Sequence, residues 1–270
     1  MEKLKVGIIG CGAMGSEIAR ACQDRLSASV DLVAICDIDD KKAGGLKASL
    51  KKKVEILKLD ELIKVADLVV EAASAGISAT VLEKCIKAKR DCLIMSVGGL
   101  IAKDGLLKEA NDKGIKVYIP SGALCGIDGL KSASGGRVES VTLTTRKPPK
   151  GLEGAPYLKE NKIDLSGVKG ETVVFEGTAA EAVKGFPANV NVSAVLSLAG
   201  IGAEKTRVRI ITSPEYTRNT HEVEITGDFG RINTRTENVP SANNPKTSAL
   251  AIYSAIATLE GIAKSVRIGT

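Results

Sequence analysis

Two groups of residues in this 270-residue chain have types and spacing suited to chemistry. The first is Gly10-Cys11-Gly12-Ala13-Met14-Gly15, a G-x-G-x-x-G run that follows an apolar stretch at 5–9 and opens a helical pattern reaching about Leu26. In a strand–turn–helix unit the first glycine permits the sharp turn, the second lets the backbone approach a pyrophosphate, and the third lets the helix pack close to the strand. The helix N-terminus then offers unpaired N–H groups and partial positive charge to phosphate. The second is His221, the single histidine, within the stretch NTHEVEI at 219–225. Imidazole is the side chain whose ordinary pKa lies near neutrality, so His221 is the sole imidazole able to take and return a proton there. A lone histidine at the start of a strand is more often a surface or hydrogen-bonded residue than a catalyst.

Around the glycine turn, further residues fit a dinucleotide. Asp37 ends a second apolar run and lies about twenty residues beyond Gly15, where an acid accepts hydrogen bonds from ribose; the alternative, less favoured, is that it merely caps a strand end. Lys41 and Lys42 follow closely, so a 2′-phosphate is tolerable and the cofactor reads as NAD or NADP. Ala73 and Ser74 are small residues at the carboxyl end of a strand, where they leave room for a dinucleotide or simply make a loop.

Other classes find little support. The net charge of +6 is spread along a chain without tryptophan, which argues against nucleic acid. Cys11, Cys22, Cys36, Cys85, Cys92 and Cys125 form no C-x-x-C pair, so no metal is expected and the thiols read as reduced, in a cytoplasmic protein. The opening Met-Glu-Lys-Leu-Lys is unlike a signal peptide, and no apolar run approaches the ~20 residues that span a membrane.

The elements that must position these residues follow two grammars. Strand-like runs at 66–74, 91–100 and 115–123 alternate with helical patterns at 77–87 and 103–111, which predicts a Rossmann-type doubly wound parallel sheet. Beyond Gly122, period-two stretches at 137–147, 171–178, 206–213, 221–230 and 231–239 predict a mainly antiparallel sheet, interrupted by a helix at about 188–203. The segment from Lys147-Pro148-Pro149 to Gly170 reads as a loop-rich excursion. Asn244 and Pro245 read as N-cap and first residue of an apolar final helix that returns to the first domain. The fold class is therefore α/β: residues 1–122 with 242–270 as the dinucleotide-binding domain, and 123–241 as an α+β substrate and dimerisation domain.

Three stretches together, VGIIGCGAMGSEIA at 6–19, GFPANVNVSAVLSLAGIG at 185–202 and NTHEVEITGDFGRINTRTENVPSANNPKTSALA at 219–251, resemble the L-aspartate dehydrogenase family over essentially the whole length. The first is common to many oxidoreductases; the other two are distinctive in combination. The resemblance implies NAD(P)-dependent oxidative deamination of L-aspartate to iminoaspartate, which hydrolyses to oxaloacetate and ammonia or feeds NAD synthesis through hand-off to quinolinate synthase. It also implies His221 as the catalytic acid/base, Ala123 and Asn189 as cofactor contacts, and a homodimer. By residue chemistry alone Asn189 reads first as a helix cap, and only then as a nicotinamide contact. A dicarboxylate needs cations or N–H donors. Lys246, beside the expected start of the final helix, and Asn191 are the candidates, while Arg207 and Arg209 read as solvated or interface charges. Glu222 should point away from His221, and no partner orienting the imidazole is legible. Two rival readings stay open: another two-domain reductase acting on homoserine, a sugar or a dihydropicolinate, and a regulatory protein that senses NAD without chemistry.

Overall fold

The computed structural model describes residues 2–103, 105–187, 191–241 and 244–269, by backbone alone at 244–246. The chain divides into two compact units, residues 1–120 with 252–267 and residues 121–251 with 268–270. The return to the first unit thus comes at 252 rather than at 242.

In the first unit, strands and helices alternate: β1 (Leu4–Ile9), α1 (Ala13–Gln23), β2 (Val30–Cys36), α2 (Asp40–Ser49), β3 (Glu55–Ile56), α3 (Leu59–Val65), β4 (Leu68–Glu71), α4 (Ala75–Ala88), β5 (Asp91–Ile94), α5 (Gly105–Asp112) and β6 (Val117–Tyr118). All described pairings in this sheet are parallel, in the order β3-β2-β1-β4-β5-β6, so the winding reverses between β1 and β4. Strands covered on both faces must be apolar throughout rather than alternating. β4 is buried along its length: Leu68, Val69 and Val70 follow the rule and Glu71 at its end is the exception. One face carries a core of Val6, Ile8, Ile18, Leu32, Val70 and Leu93; the other packs Ile9, Leu62, Val69, Leu82 and Ile86. Strand-like runs read at 91–100 and 115–123 are shorter here. Beyond β5 the chain turns into a 3-10 segment, Val97–Lys103.

The second unit contains α6 (Ile127–Ala133), β7 (Val138–Lys147), α7 (Pro156–Glu160), β8 (Thr172–Thr178), α8 (Ala179–Gly185), α9 (Asn191–Ala199), β9 (Arg207–Thr212), β10 (Asn219–Gly227), β11 (Gly230–Asn238), β12 (Pro240–Ser241) and β13 (Asn244–Ser248). The larger sheet runs β11-β10-β7-β9-β8, antiparallel except for the parallel β7–β9 pair. Its inner face, Val141, Leu143, Val208, Ile210, Val223 and Ile225, closes a core with Leu130, Phe186 and Leu196 from the helices. Tyr157, Phe175 and Phe186 stack at centroid distances of 5.2–5.5 Å within it.

The final helix, α10 (Ala249–Ala263), starts four residues later than its capping signal predicts. Asn244–Ser248 is instead a strand paired with β12, Pro240 opposite Ser248. A local N-cap preference is worth about 1 kcal/mol, less than a set of ladder bonds and a side-chain anchor supply together. That anchor is Ser248 Oγ, which donates to Asn238 Oδ1 at 2.7 Å. From Ile252 on, the helix does join the first unit, where Ile252, Ala255, Ile256 and Leu259 complete the Val6–Ile8 core.

Candidate active site

The glycine turn sits at the reversal of the parallel sheet. Gly10 has φ +97°, and a Cβ there would come within 2.5 Å of the Ala72 carbonyl oxygen, so only glycine makes this turn between β1 and β4. A Cβ on Gly15 would collide with the Gly10 carbonyl, which is the close helix–strand packing the motif demands. Gly12 differs: it is exposed, caps α1 without a side-chain bond, and a Cβ on it would meet nothing within 4 Å. Its open cradle in front of the N–H groups of an 11-residue helix fits a pyrophosphate. Met14 and Ala13 open that helix, half-buried, and Cys11 is buried, with its thiol pushed up to about 12 by burial and then by Asp37.

Asp37 stands at the end of β2 with both oxygens held. Cys11 N–H donates to Oδ2 at 2.6 Å and Asp39 N–H to Oδ1 at 2.9 Å, which fixes the carboxylate beside the turn. Ala73 and Ser74 are exposed after β4. Their backbone is pinned by the fully buried Glu71, whose carboxylate accepts Ala73 N–H at 2.8 Å and Ser96 N–H at 2.9 Å. These residues fit a nicotinamide dinucleotide at the switch point. Lys42 turns to Asp39, at 3.9 Å, and Asp39 caps α2 through Lys41 and Lys42 N–H.

His221 lies on β10, inside the second unit, and is only 4 % exposed. Register places it directly opposite Thr145 of β7, and Thr145 Oγ1 is 3.0 Å from imidazole Nδ1. Thr145 is the orienting partner that sequence reasoning missed. Burial, then the charge of Lys147, lowers the imidazole from 6.5 to about 3. The neutral ring is therefore the resting form, which departs from the near-neutral titration expected of it. Lys147 was also missed as a site residue, although it was read as the end of the strand at 137–147 as well as the start of the loop that follows. It ends β7, and the alternation Val141, Leu143, Thr145, Lys147 turns it inward, where burial lowers it from 10.5 to about 8. Period two alone could have placed it there.

Strand β11 ties His221's strand to the segment around Ala123. Thr236 pairs with His221 across the strands. Thr236 Oγ1 and Asn238 Nδ2 each donate to the Ala123 carbonyl at 3.1 Å, and Thr234 Oγ1 to the Cys125 carbonyl at 3.0 Å. Alternate residues of one strand face thus hold the 123–125 carbonyls, with Ala123 itself buried.

Other expected groups are not assembled here. Glu222 does face away, engaged with Arg146 and, at 2.5 Å, Arg235. Arg209, opposite Thr144, is on that same outer face, 3.3 Å from Glu176, and Arg207 follows the same parity, so neither shares His221's side. Lys246 lies on β13, not at a helix N-terminus, which removes the dipole argument for it. Asn191 is the exposed first residue of α9, and Asn189 lies outside the described residues. Among the described residues no cluster of three or more His, Cys, Asp or Glu could hold a metal, and no helix is long and apolar enough to cross a membrane.

Comparison with known proteins matches residues 10–120 to a family described as homoserine dehydrogenase, NAD binding domain, and residues 128–262 to aspartate dehydrogenase, C-terminal. The chain is 50% identical over 271 residues to an L-aspartate dehydrogenase of Methanosarcina acetivorans, covering 99% of this chain and 100% of that one. It is 38% identical to one from Bradyrhizobium diazoefficiens, covering 100% and 95%. The crystal structure of aspartate dehydrogenase from Thermotoga maritima superposes with a TM-score of 0.75 at 27% identity, over 99% of this chain and 100% of that one. A scyllo-inositol dehydrogenase from Lactobacillus casei, at 14% identity and TM-score 0.56, shares the fold alone. With relatives this similar along its full length, the chain belongs to the L-aspartate dehydrogenase family.

Proposed function

We propose that the chain oxidises L-aspartate to iminoaspartate with a nicotinamide dinucleotide, and that His221 is its acid/base. The observation that carries this reading is a buried imidazole whose Nδ1 is held by Thr145, in a chain of this family. The bound nicotinamide supplies the acceptor for the hydride that leaves the α-carbon. Hydride loss requires an amine lone pair, so one proton must first leave the substrate ammonium. With Nδ1–H donating to Thr145 Oγ1, Nε2 carries the lone pair that takes it. The same nitrogen then guides water onto the imine, whose collapse releases ammonia and leaves oxaloacetate. Asp37 holds the ribose, the Gly10–Gly15 turn with Ala13 and Met14 the pyrophosphate, and Ala73, Ser74, Ala123 and Asn189 the remaining cofactor surface. The reading extends to a cytoplasmic homodimer that supplies NAD synthesis, with iminoaspartate passed to quinolinate synthase before water consumes it.

The test uses the purified chain with NAD or NADP and a panel of amino and hydroxy acids, following the reduced nicotinamide. L-Aspartate should be oxidised, and His221→Ala should lower kcat by about 10²–10⁴-fold while keeping dinucleotide affinity. Undiminished turnover in that variant removes His221 from the chemistry. Tight dinucleotide binding with no turnover of any panel member favours a sensor.

A further inference from the structure

Among the described residues one carboxylate is buried completely: Glu71, 0 % exposed, at the carboxyl end of β4. A charge is costly to take out of water unless other groups replace its hydration. Here backbone donors do so. Ala73 N–H donates to one oxygen at 2.8 Å and Ser96 N–H to the other at 2.9 Å, so the side chain bridges the segments that follow β4 and β5. The Ser96 hydroxyl and the Ser74 N–H add to the same stabilisation, while burial still holds the carboxyl above its ordinary pKa. No lysine or arginine offsets the charge among the described residues. The segments that Glu71 joins are also those left for the nicotinamide. A doubly wound sheet takes one mononucleotide in each half. Asp37 and α2 belong to the β1–β3 half, so the carboxyl ends of β4 and β5 serve the other. Ala72 and Ala73 pass directly under the glycine turn as well, where a Cβ on Gly10 would come within 2.8 Å of Ala73 Cα.

Resting on the dinucleotide reading above, we propose that Glu71 is a positioning residue for the nicotinamide half of the cofactor, and that its buried negative charge makes the crevice hold the oxidised, cationic ring more tightly relative to the reduced, neutral one than an uncharged residue would. The clamp acts on shape, through the backbones at 73–74 and 96. Two N–H groups facing one side chain call for two acceptor oxygens, which a carboxylate has and an amide of the same size does not. The charge acts through the field. Nicotinamide is a cation before it accepts hydride and neutral afterwards, and a carboxylate shut off from water and salt is weakly screened. One side chain thereby shapes the floor of the crevice and favours release of the reduced cofactor once substrate has been oxidised.

Binding without turnover tests this on the purified full chain. Calorimetric titrations with ADP, NAD⁺ and NADH compare the wild type with Glu71→Gln. ADP, which stops short of the nicotinamide half, should bind both proteins within about twofold. NAD⁺ should bind the variant about 10-fold more weakly and NADH about 3-fold more weakly, so that the ratio of the two affinities falls about 3-fold. Glu71→Asp keeps the charge and shortens the reach, so both nicotinamide forms should weaken together with their ratio kept. Ser96→Ala removes one donor and leaves the charge in place. It should weaken both forms about 2–4-fold with ADP unchanged, and it tests the clamp even where Glu71→Gln does not fold. Equal weakening of ADP and NAD⁺, a ratio of NAD⁺ to NADH affinity untouched by Glu71→Gln, or NAD⁺ binding indifferent to all three changes each overturns the proposal. A wild type that binds none of the nucleotides overturns the dinucleotide reading as well, whereas wild-type affinities in the Gln variant end the Glu71 proposal alone.

Discussion

Asp37 binds two backbone N–H groups through separate oxygens, and Asp39 and Asp40 follow it at the start of α2. A 2′-phosphate placed there would meet fixed negative charge, whereas a 2′-hydroxyl would find an acceptor. The wild-type chain should therefore favour NAD. Asp37→Ser should lower kcat/KM for NAD by about 10–100-fold and narrow or invert the ratio to NADP, as measured by initial rates with both cofactors. An unchanged ratio would take the ribose away from Asp37. The place of Asp37 beside the glycine turn was legible in the sequence because a strand end, a glycine turn and an acid recur at a fixed separation. His221 stood out by being the single histidine. Thr145 was not legible, since what matters about it is a pairing with a residue 76 positions away. No local pattern encodes that register, whereas the inward side of Lys147 follows from period two and was overlooked.

At the level of elements, the period-two stretches foretold β7 to β11 because one face of their sheet is buried and the other wet. The same rule explains the outer arginines, which sequence reasoning had set aside as solvent or interface charges. The strand at 244–248 escaped because Asn-Pro is a strong local helix-start signal, overruled by the β12 pairing and Ser248's bond to Asn238. Asn238 shows what β11 contributes. It is 4 % exposed and joins Ser248 to the Ala123 carbonyl, beside Thr236, which reaches the same carbonyl. Asn238→Ala leaves buried polar groups unpaired and should cost about 1–3 kcal/mol in urea unfolding, while also weakening NAD binding if Ala123 contacts the cofactor. Arg231→Ala, on the exposed side of the same strand, is the control, expected within about 0.5 kcal/mol. Equal effects of the two changes would mean that the Thr234–Thr236–Asn238 ladder positions nothing.

For the molecule as a whole, two cores were foreseeable from the change of grammar after Gly122, including the return of the apolar last helix to the first of them. The buried lysine at the end of β7 was overlooked, although strand alternation implies its inward side, and it carries a stability cost that can be measured. Lys147 has its pKa lowered by burial, from 10.5 to about 8, which is worth roughly 3 kcal/mol. A depressed folded-state pKa means that the unfolded chain binds the extra proton between those limits, so stability from this group is full above 10.5 and is lost as pH falls through about 8. Lys147→Met removes the titration. Its stability minus that of the wild type should be positive near pH 7, up to roughly 3 kcal/mol, and shrink towards zero as pH approaches the unfolded-state value. Groups that Lys147 does not influence cancel in the difference, and His221, which it does, is neutral across this range, so urea unfolding would measure the lysine's contribution. A positive difference at neutral pH would mean that the fold carries a buried lysine at a cost to its stability. A difference that is negative at neutral pH, or flat with pH, would instead make Lys147 an ordinary member of the packing.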